Sequence, residues 1–317
     1  MKMKVKIKKY LAVFTILAFL VGIAGCAQTT QAPPKTGDTQ KTTVTDQVKE
    51  QLFVDANWLK TNLDKVIVLD VRVAKDYQSG HIPGAINAPW QSLANMNGKS
   101  GEPGWGTVMP ANELAAKLGN MGIDGKKAVI TYGTPPGWGE DGRVLWVLNR
   151  AGIKNVKMLD GGWKAWQAIK GEVSKDVPAP AAVTFTIAEL NQDLNATLDY
   201  IQTNLQKIKI VDVRSEKEYN GATDFGEARG GHLPGAINLP FENLYDQNAM
   251  IKSTDELKKI FADAGLTPED EIVTYCTKGI RSGHLTMLMR NLGFNKVRNY
   301  DASYYEWAGN DSLPLEK

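Results

Sequence analysis

The chain has 317 residues, of which 43% are hydrophobic and 23% charged, so it has the length of two domains and the composition of a globular protein. Its formal net charge is +2, but residues 1–25 hold five lysines and no acidic residue, which leaves +2 − 5 = −3 for the remainder. These values exclude a wholly disordered chain and a bundle of membrane helices. They also give no electrostatic reason to bind nucleic acid.

The N-terminus, residues 1–25, is predicted to be a lipoprotein signal peptide. Its lysines precede an apolar run over residues 11–25, which has the length of a signal core and is short for a membrane span. The run ends in Ile23-Ala24-Gly25-Cys26, which resembles the bacterial lipobox. This resemblance implies cleavage before Cys26, lipidation of its thiol, and an extracytoplasmic protein anchored to a bacterial membrane on the periplasmic or cell-surface face. An uncleaved anchor helix with an incidental cysteine is the alternative.

Two segments of low apolar content divide the rest of the chain. Residues 26–49 are rich in Thr, Gln, Pro and Lys and are predicted to form a flexible tether. A second break covers residues 173–182, where Pro178 and Pro180 discourage regular structure. These divisions predict a first domain over residues 50–174 and a second domain over residues 183–317.

The two predicted domains repeat each other. Residues 66–87 read VIVLDVRVAKDYQSGHIPGAIN, and residues 208–238 read IKIVDVRSEKEYNGATDFGEARGGHLPGAIN, with nine extra residues in the second copy. The shorter matches are AVITYGT with EIVTYCT, and VKMLDGGWKAW with VRNYDASYYEW. A repeat of this length indicates two homologous domains rather than a solenoid of short units.

Short apolar runs alternate with helical patterns in each copy. In the second copy the predicted buried strands are Ile208–Val213, Ile237–Leu239, Ile272–Tyr275 and Val297–Tyr300. Ser253 and Glu256 predict a capping box for a helix that runs through Phe261 and stops near Gly265. Apolar spacing predicts another helix over Arg281–Leu292. The alternation predicts that each domain is a small doubly wound α/β unit, a mostly parallel sheet with helices on both faces.

Three spaced motifs of the second copy resemble the rhodanese family, and the resemblance covers essentially all of residues 50–317, twice. They are DVRSEKEY at 212–219, GGHLPGAIN at 230–238 and CTKGIRSG at 276–283. The loop from Cys276 to Arg281 has the six-residue length of the family's active-site loop. The resemblance implies tandem rhodanese-like domains and a sulfurtransferase without a cofactor. Such an enzyme takes sulfur from thiosulfate or a related donor, holds it as a persulfide on Cys276, and gives it to cyanide or a thiol.

Cys276 is the candidate nucleophile on physical grounds as well. It follows a buried strand and precedes a helix, which is where ligands bind in open α/β sheets. The backbone N–H groups of Thr277–Arg281, the helix dipole, and the cations Lys278 and Arg281 are expected to lower the thiol pKa. Gly279 lets the loop turn tightly. The candidate substrate-binding residues of the loop are Thr277, Lys278, Gly279, Ile280 and Arg281.

The repeat separates residues that serve the fold from residues that serve the chemistry. The first copy has Gly133 in place of Cys276, followed by the longer loop TPPGWGEDGR, so the first domain is predicted to form no persulfide. Polar residues present in both copies are predicted to brace loops and strands: Asp70 and Asp212, Arg72 and Arg214, His81 and His232. The family resemblance further implies that Asp212 and Arg214 support the active loop from behind.

The insertion Gly221–Arg229 occurs only in the second copy. The resemblance implies that Arg229 contacts an anionic substrate, and a solvated surface charge is the alternative.

Glu218 stands where vertebrate thiosulfate-using relatives have an arginine, which predicts weaker binding of the thiosulfate dianion. His284 is predicted to be a core or surface histidine rather than a general base. Trp138 is predicted to lie in a glycine-rich loop that faces the site.

Two other functions remain as alternatives. A phosphatase or arsenate reductase would need a loop one residue longer than the four residues that separate Cys276 from Arg281. A surface lipoprotein could use its domains to bind a partner or carry sulfur without turnover. Three scattered histidines and no paired cysteines argue against a metal site.

Overall fold

A computed structural model describes residue 49, residues 51–102 and residues 104–317. The predicted signal peptide, Cys26 and the tether up to residue 48 lie outside the described residues, so those predictions stay predictions. Within the part that is described, no helix is both long enough and apolar enough to cross a membrane.

The first domain is a five-stranded sheet, all of whose neighbouring strands are parallel, in the order β1-β5-β4-β2-β3. Its strands are β1 (Phe53–Val54), β2 (Val66–Asp70), β3 (Ile86–Asn87), β4 (Ala128–Tyr132) and β5 (Val156–Leu159). Its helices are α1 (Ala56–Asn62), α2 (Ala74–Ser79), α3 (Ala111–Asn120), α4 (Glu140–Arg150) and α5 (Gly162–Ala168), with a 3-10 turn at Trp90–Leu93.

The second domain repeats this topology with a second five-stranded parallel sheet, in the order β6-β10-β9-β7-β8. Its strands are β6 (Asn195–Ala196), β7 (Lys209–Asp212), β8 (Ile237–Asn238), β9 (Ile272–Tyr275) and β10 (Val297–Tyr300). Its helices are α6 (Leu198–Asn204), α7 (Glu216–Tyr219), α8 (Thr254–Asp263), α9 (Ile280–Asn291) and α10 (Ser303–Gly309), with 3-10 turns at Gln192–Leu194 and Phe241–Leu244.

The predicted elements of the second copy are found close to their expected places. Strands β9 and β10 have the predicted bounds, and β7 and β8 are shorter at their ends because the outermost residues lack ladder partners. The predicted capping box begins α8: Ser253 accepts from the backbone of Glu256, whose side chain accepts from the backbone of Ser253. Gly265 follows the helix with φ +71°, a conformation that favours glycine.

Helices α4 and α9 pack against each other and join the two domains. Gly142 lies on α4 at the contact, where a Cβ atom would come within 2.3 Å of the His284 ring. The close approach therefore requires glycine at this position. Buried apolar residues of both domains form one continuous cluster on this side of the two sheets, including Trp146 of α4 and Leu285 of α9. The first domain consequently packs against α9, the helix that follows the Cys276 loop.

Candidate active site

Cys276 begins the short loop between β9 and α9, at the carboxyl end of a central strand. Its backbone N–H donates to Ser303 Oγ at 3.0 Å, and its carbonyl accepts from the Tyr304 N–H at 3.0 Å. These bonds tie the start of the loop to α10. The residue is almost fully buried, and it lines a cavity.

The surroundings of the Cys276 sulfur favour its thiolate. Burial by itself raises the pKa of Cys276. The positive charge of Arg281 and hydrogen bonds from Ser282 and from the Lys278 backbone outweigh burial, so the pKa lies below its ordinary value. The Ser282 hydroxyl donates to the sulfur at 3.6 Å. The sequence predicted the cations and the backbone donors, but not the serine hydroxyl.

A lowered pKa of Cys276 has a measurable consequence. Because the thiolate is the reactive form, alkylation by iodoacetamide should remain fast below the pH at which an ordinary cysteine becomes protonated. Arg281→Gln should move the midpoint of the rate–pH curve upward, because it removes the largest influence that lowers the pKa. A wild-type midpoint at or above that of free cysteine would contradict this assignment.

Arg281 lines the cavity, but its charge is already paired. The guanidinium donates two hydrogen bonds to the Glu218 carboxylate, at 2.7 and 2.8 Å, and both side chains are buried. Thr277 Oγ1 also donates to Glu218 at 2.9 Å. Burial would raise the pKa of Glu218, but Arg281 and the cap bonds from Ser215 lower it to about 2. Glu218, the residue that differs from the thiosulfate-using relatives, therefore forms a buried ion pair that fixes Arg281 in place.

Lys278 is the other loop cation that lines the cavity. Its ammonium lies 5.5 Å from the ring centres of Trp105 and Tyr305, and it forms no ion pair with any residue the structure describes. Burial lowers the pKa of Lys278, while the charges of Cys276 and Glu227 act in the opposite direction. Lys278 is thus the loop cation left available to an anionic substrate or leaving group.

Gly279 ends the loop in a left-handed conformation with φ +76°. A Cβ atom there would lie 2.4 Å from the Asp301 carbonyl oxygen, so the predicted need for glycine is confirmed. Its own carbonyl accepts from Asn299 at 3.1 Å and from Arg143 of the first domain at 3.2 Å. Arg143 also forms an ion pair of 2.6 Å with Asp301. Sequence reasoning missed Arg143, because nothing in its local pattern shows that it reaches the other domain.

The cavity beside Cys276 has a volume of about 280 Å³ and lies between the two domains. Its lining residues are Val73, Trp90, Gln91, Trp138 and Glu140 from the first domain and Phe225, Cys276, Thr277, Lys278, Ile280 and Arg281 from the second. The Trp138 and Phe225 rings meet edge to face at 5.0 Å, and the Arg281 guanidinium lies 4.8 Å from the Trp138 ring centre. The prediction that Trp138 faces the site is confirmed.

Arg229 does not line this cavity, contrary to its prediction as a substrate contact. Its guanidinium donates to four backbone carbonyls at the end of α10 and beyond, those of Trp307, Ala308, Asn310 and Leu313. Arg229 thus ties the insertion to the end of α10 and to the segment that follows this helix. The insertion contributes Phe225 to the cavity instead.

The polar residues shared by the two copies brace the fold. Arg214 forms two-pronged hydrogen bonds with Asp212 and donates to the Gly231 carbonyl at 2.7 Å, with both side chains fully buried. Tyr275, the residue before Cys276, donates to Asp212 at 2.5 Å. The first domain repeats the arrangement with Asp70, Arg72, Gly80 and Tyr132. The pair thus supports the strand that carries the cysteine.

The three histidines pack within the fold and do not line the cavity. His81 and His232 stack on Tyr77 and Tyr219, at 3.8 and 3.6 Å between ring centres, and hydrogen-bond to the carbonyl of the same tyrosine. His284 is fully buried between the domains, does not line the cavity, and lies 3.3 Å from the Asp141 carboxylate. Its prediction as a core histidine is confirmed.

A family model described as the rhodanese-like domain matches residues 55–169 and again residues 197–310. The chain belongs to the rhodanese family. It is 31% identical over 279 residues to the thiosulfate sulfurtransferase of Corynebacterium glutamicum, covering 83% of this chain and 90% of that one. It is 28% identical over 283 residues to the sulfur carrier protein TtuD of Thermus thermophilus, covering 84% and 97%.

Among solved structures, the rhodanese fold of SseA from Escherichia coli, described for 3-mercaptopyruvate sulfotransferases, matches with a TM-score of 0.71. The identity is 24%, over 80% of this chain and 99% of that chain, so this likeness concerns the fold. The likeness to thiosulfate sulfurtransferases over most of the chain makes this rhodanese an enzyme that transfers sulfur.

Proposed function

We propose that the protein moves sulfane sulfur from thiosulfate or a related donor to cyanide or a thiol, through a persulfide on Cys276. The observation that carries this proposal is the environment of one thiol. Cys276 has a lowered pKa, faces a cavity large enough for a substrate, and lies where a helix begins. No other described residue combines a soft nucleophile with these features.

The first half-reaction loads the enzyme. The Cys276 thiolate attacks the outer sulfur of thiosulfate, a new S–S bond forms, and the bond between the two sulfurs of thiosulfate breaks. Sulfite leaves with the electron pair of that bond, and the persulfide on Cys276 keeps one negative charge. The Lys278 ammonium and the backbone N–H groups of the loop stabilise the charged sulfur species.

The second half-reaction returns the thiolate. Cyanide attacks the outer sulfur of the persulfide, thiocyanate leaves, and the electron pair of the broken S–S bond remains on Cys276. Because Glu218 already pairs with Arg281, thiosulfate meets fewer free positive charges than two loop cations would suggest. We therefore expect thiosulfate to be used with a high KM.

The experiment that tests this proposal is intact mass spectrometry of the soluble chain, residues 27–317, after incubation with thiosulfate. A gain of one sulfur atom is expected, followed by its loss when cyanide is added. Cys276→Ser is the control and should gain nothing. If neither thiosulfate, mercaptopyruvate nor polysulfide adds sulfur to the wild type, the persulfide proposal fails.

A sulfur carrier is the second candidate, because a relative that matches most of this chain is named a sulfur carrier protein. Both candidates form the persulfide on Cys276, and they differ in whether that sulfur is transferred repeatedly to a small acceptor. A persulfide that forms and then turns over many times with thiosulfate and cyanide supports the enzyme. A persulfide that forms but leaves only to a protein acceptor supports the carrier.

We also propose that the protein is exported and anchored to a bacterial membrane through a lipid on Cys26. The support is the lipobox-like sequence after a lysine-rich apolar segment. Fractionation should find the wild type with membranes and Cys26→Ala released from them. Equal membrane association of the two would contradict the lipid anchor.

A further inference from the structure

Glu140 is a carboxylate in the active-site cavity for which the persulfide cycle gives no role. It is the first residue of α4, it is half-buried, and it lines the same cavity as Cys276. One carboxylate oxygen accepts the backbone N–H of Trp138 at 3.1 Å. Glu140 forms no ion pair with any part of the chain that the structure describes, and burial raises its pKa.

Glu140 is an acidic residue at the position where the second domain has a basic one. α4 starts with Glu-Asp-Gly-Arg, and α9 reads Arg-Ser-Gly-His after its first residue, Ile280. The glycines of these two stretches, Gly142 and Gly283, lie at the contact between the helices. Aligned on these glycines, Glu140 corresponds to Arg281. The two domains therefore place opposite charges against the same cavity.

Among the described residues, the charges near Glu140 favour a ligand that carries a positively charged group. Lys278 and Arg281 are the cations that line it, and Glu218 neutralises the second of them. Glu227, which is buried, acts electrostatically on Lys278. Glu140 then remains as a carboxylate without a counter-ion, and the persulfide of Cys276 adds a further negative charge. Lys278 remains available to an anionic group on its side of the cavity, whereas beside Glu140 and the persulfide a cationic group would be attracted.

The cavity also offers more room and more apolar surface than cyanide needs. Its volume of about 280 Å³ approaches the size of pockets that hold organic ligands. Apolar and aromatic side chains form much of its wall: Val73, Trp90, Trp138, Phe225 and Ile280. These surfaces suit the carbon skeleton of a small organic molecule.

We propose that the acceptor is a small thiol that carries a protonated amino group, which Glu140 binds while the thiol attacks the persulfide on Cys276. This inference rests on the proposed function. The acceptor sulfur bonds to the outer sulfur of the persulfide, and the thiol proton passes to that same outer sulfur. The bond to Cys276 breaks, its electron pair restores the thiolate, and the acceptor leaves as a hydropersulfide.

The test uses three thiols of similar size and different charge: cysteamine, 2-mercaptoethanol and mercaptoacetate. The chain is first loaded with sulfur, the loading is verified by mass, and the rate constant for sulfur loss is measured with each thiol. Because the thiols differ in intrinsic nucleophilicity, each is compared by its ratio of wild-type to Glu140→Gln rate constants. Glu140→Asp, which keeps the charge, and Glu113→Gln, an exposed residue of α3, are the matched controls.

The expected ratio is about tenfold in favour of the wild type for cysteamine, near one for mercaptoethanol, and below one for mercaptoacetate. Glu140→Asp should keep much of the cysteamine rate, and Glu113→Gln should behave as wild type. Equal ratios for the three thiols, with loading intact and cyanide still removing the sulfur, would overturn the acceptor proposal alone. Failure to load any sulfur would overturn both proposals.

Discussion

Replacing Cys276 with serine is expected to lower transfer of sulfur from thiosulfate to cyanide by at least about a thousandfold, to the background rate. A hydroxyl cannot form the persulfide, and the lowered pKa that favours attack belongs to the thiol. The fold should be retained, because serine is close to cysteine in size and the backbone bonds of Cys276 to α10 remain. Steady-state assay of thiocyanate production measures the loss.

The first domain offers a control for this prediction. Adding Gly133→Cys to the Cys276→Ser variant places a thiol at the corresponding position, after β4. Activity should not return, because the following helix begins with Glu140 and Asp141 where the catalytic domain has Arg281 and Ser282. Restored turnover would show that a cysteine at a strand end is sufficient and that the loop residues matter little.

Replacing Arg143 with methionine is expected to lower the free energy of unfolding by about 3 kcal/mol and to slow sulfur transfer as well. Arg143 is almost fully buried, pairs with Asp301 at 2.6 Å and donates to the Gly279 carbonyl of the active loop. Its loss leaves the buried Asp301 carboxylate without its close cation. Denaturant unfolding and the rate of alkylation of Cys276 measure the two effects separately.

The matched control for Arg143→Met is Lys126→Met. Lys126 pairs with Asp124 at 2.8 Å, but its side chain is 86% exposed, so water screens the pair and unfolding should change by less than about 1 kcal/mol. If the two variants are equally stable, the buried pair of Arg143 and Asp301 does not contribute the expected free energy of unfolding. If Arg143→Met loses stability while the pH profile of alkylation stays unchanged, the residue supports the fold without positioning the loop.

The cysteine-less domain therefore has a physical role in the site. It contributes Trp138, Trp90 and Glu140 to the wall of the cavity. Through Arg143 it also holds a carbonyl of the catalytic loop in the other domain. The absence of a cysteine from this copy is compatible with both roles, since neither uses a nucleophile.

The sequence by itself was sufficient for the repeat and the fold class, and it singled out Cys276 as the candidate nucleophile. Strand and helix periodicity is local, and the Ser253 capping box lies within a few residues, so these features are readable without tertiary contacts. Cys276 was singled out by its motif and by its place between a buried strand and a helix, and Gly133 in the other copy set the first domain aside. The bracing role of Asp212 and Arg214 followed from the same comparison and agrees with their burial.

Only the tertiary structure decided which charges are free. The sequence predicts that Arg229 and Arg281 are both cations near the site. In the structure Arg229 is bound by backbone carbonyls at a helix end. Arg281 is bound by Glu218, which is 63 residues away along the chain. Arg143 and Glu140 come to the site from another domain, through the packing of α4 on α9. A sequence pattern reports residue type and local spacing, whereas electrostatic interaction depends on distance and burial between residues remote in the chain.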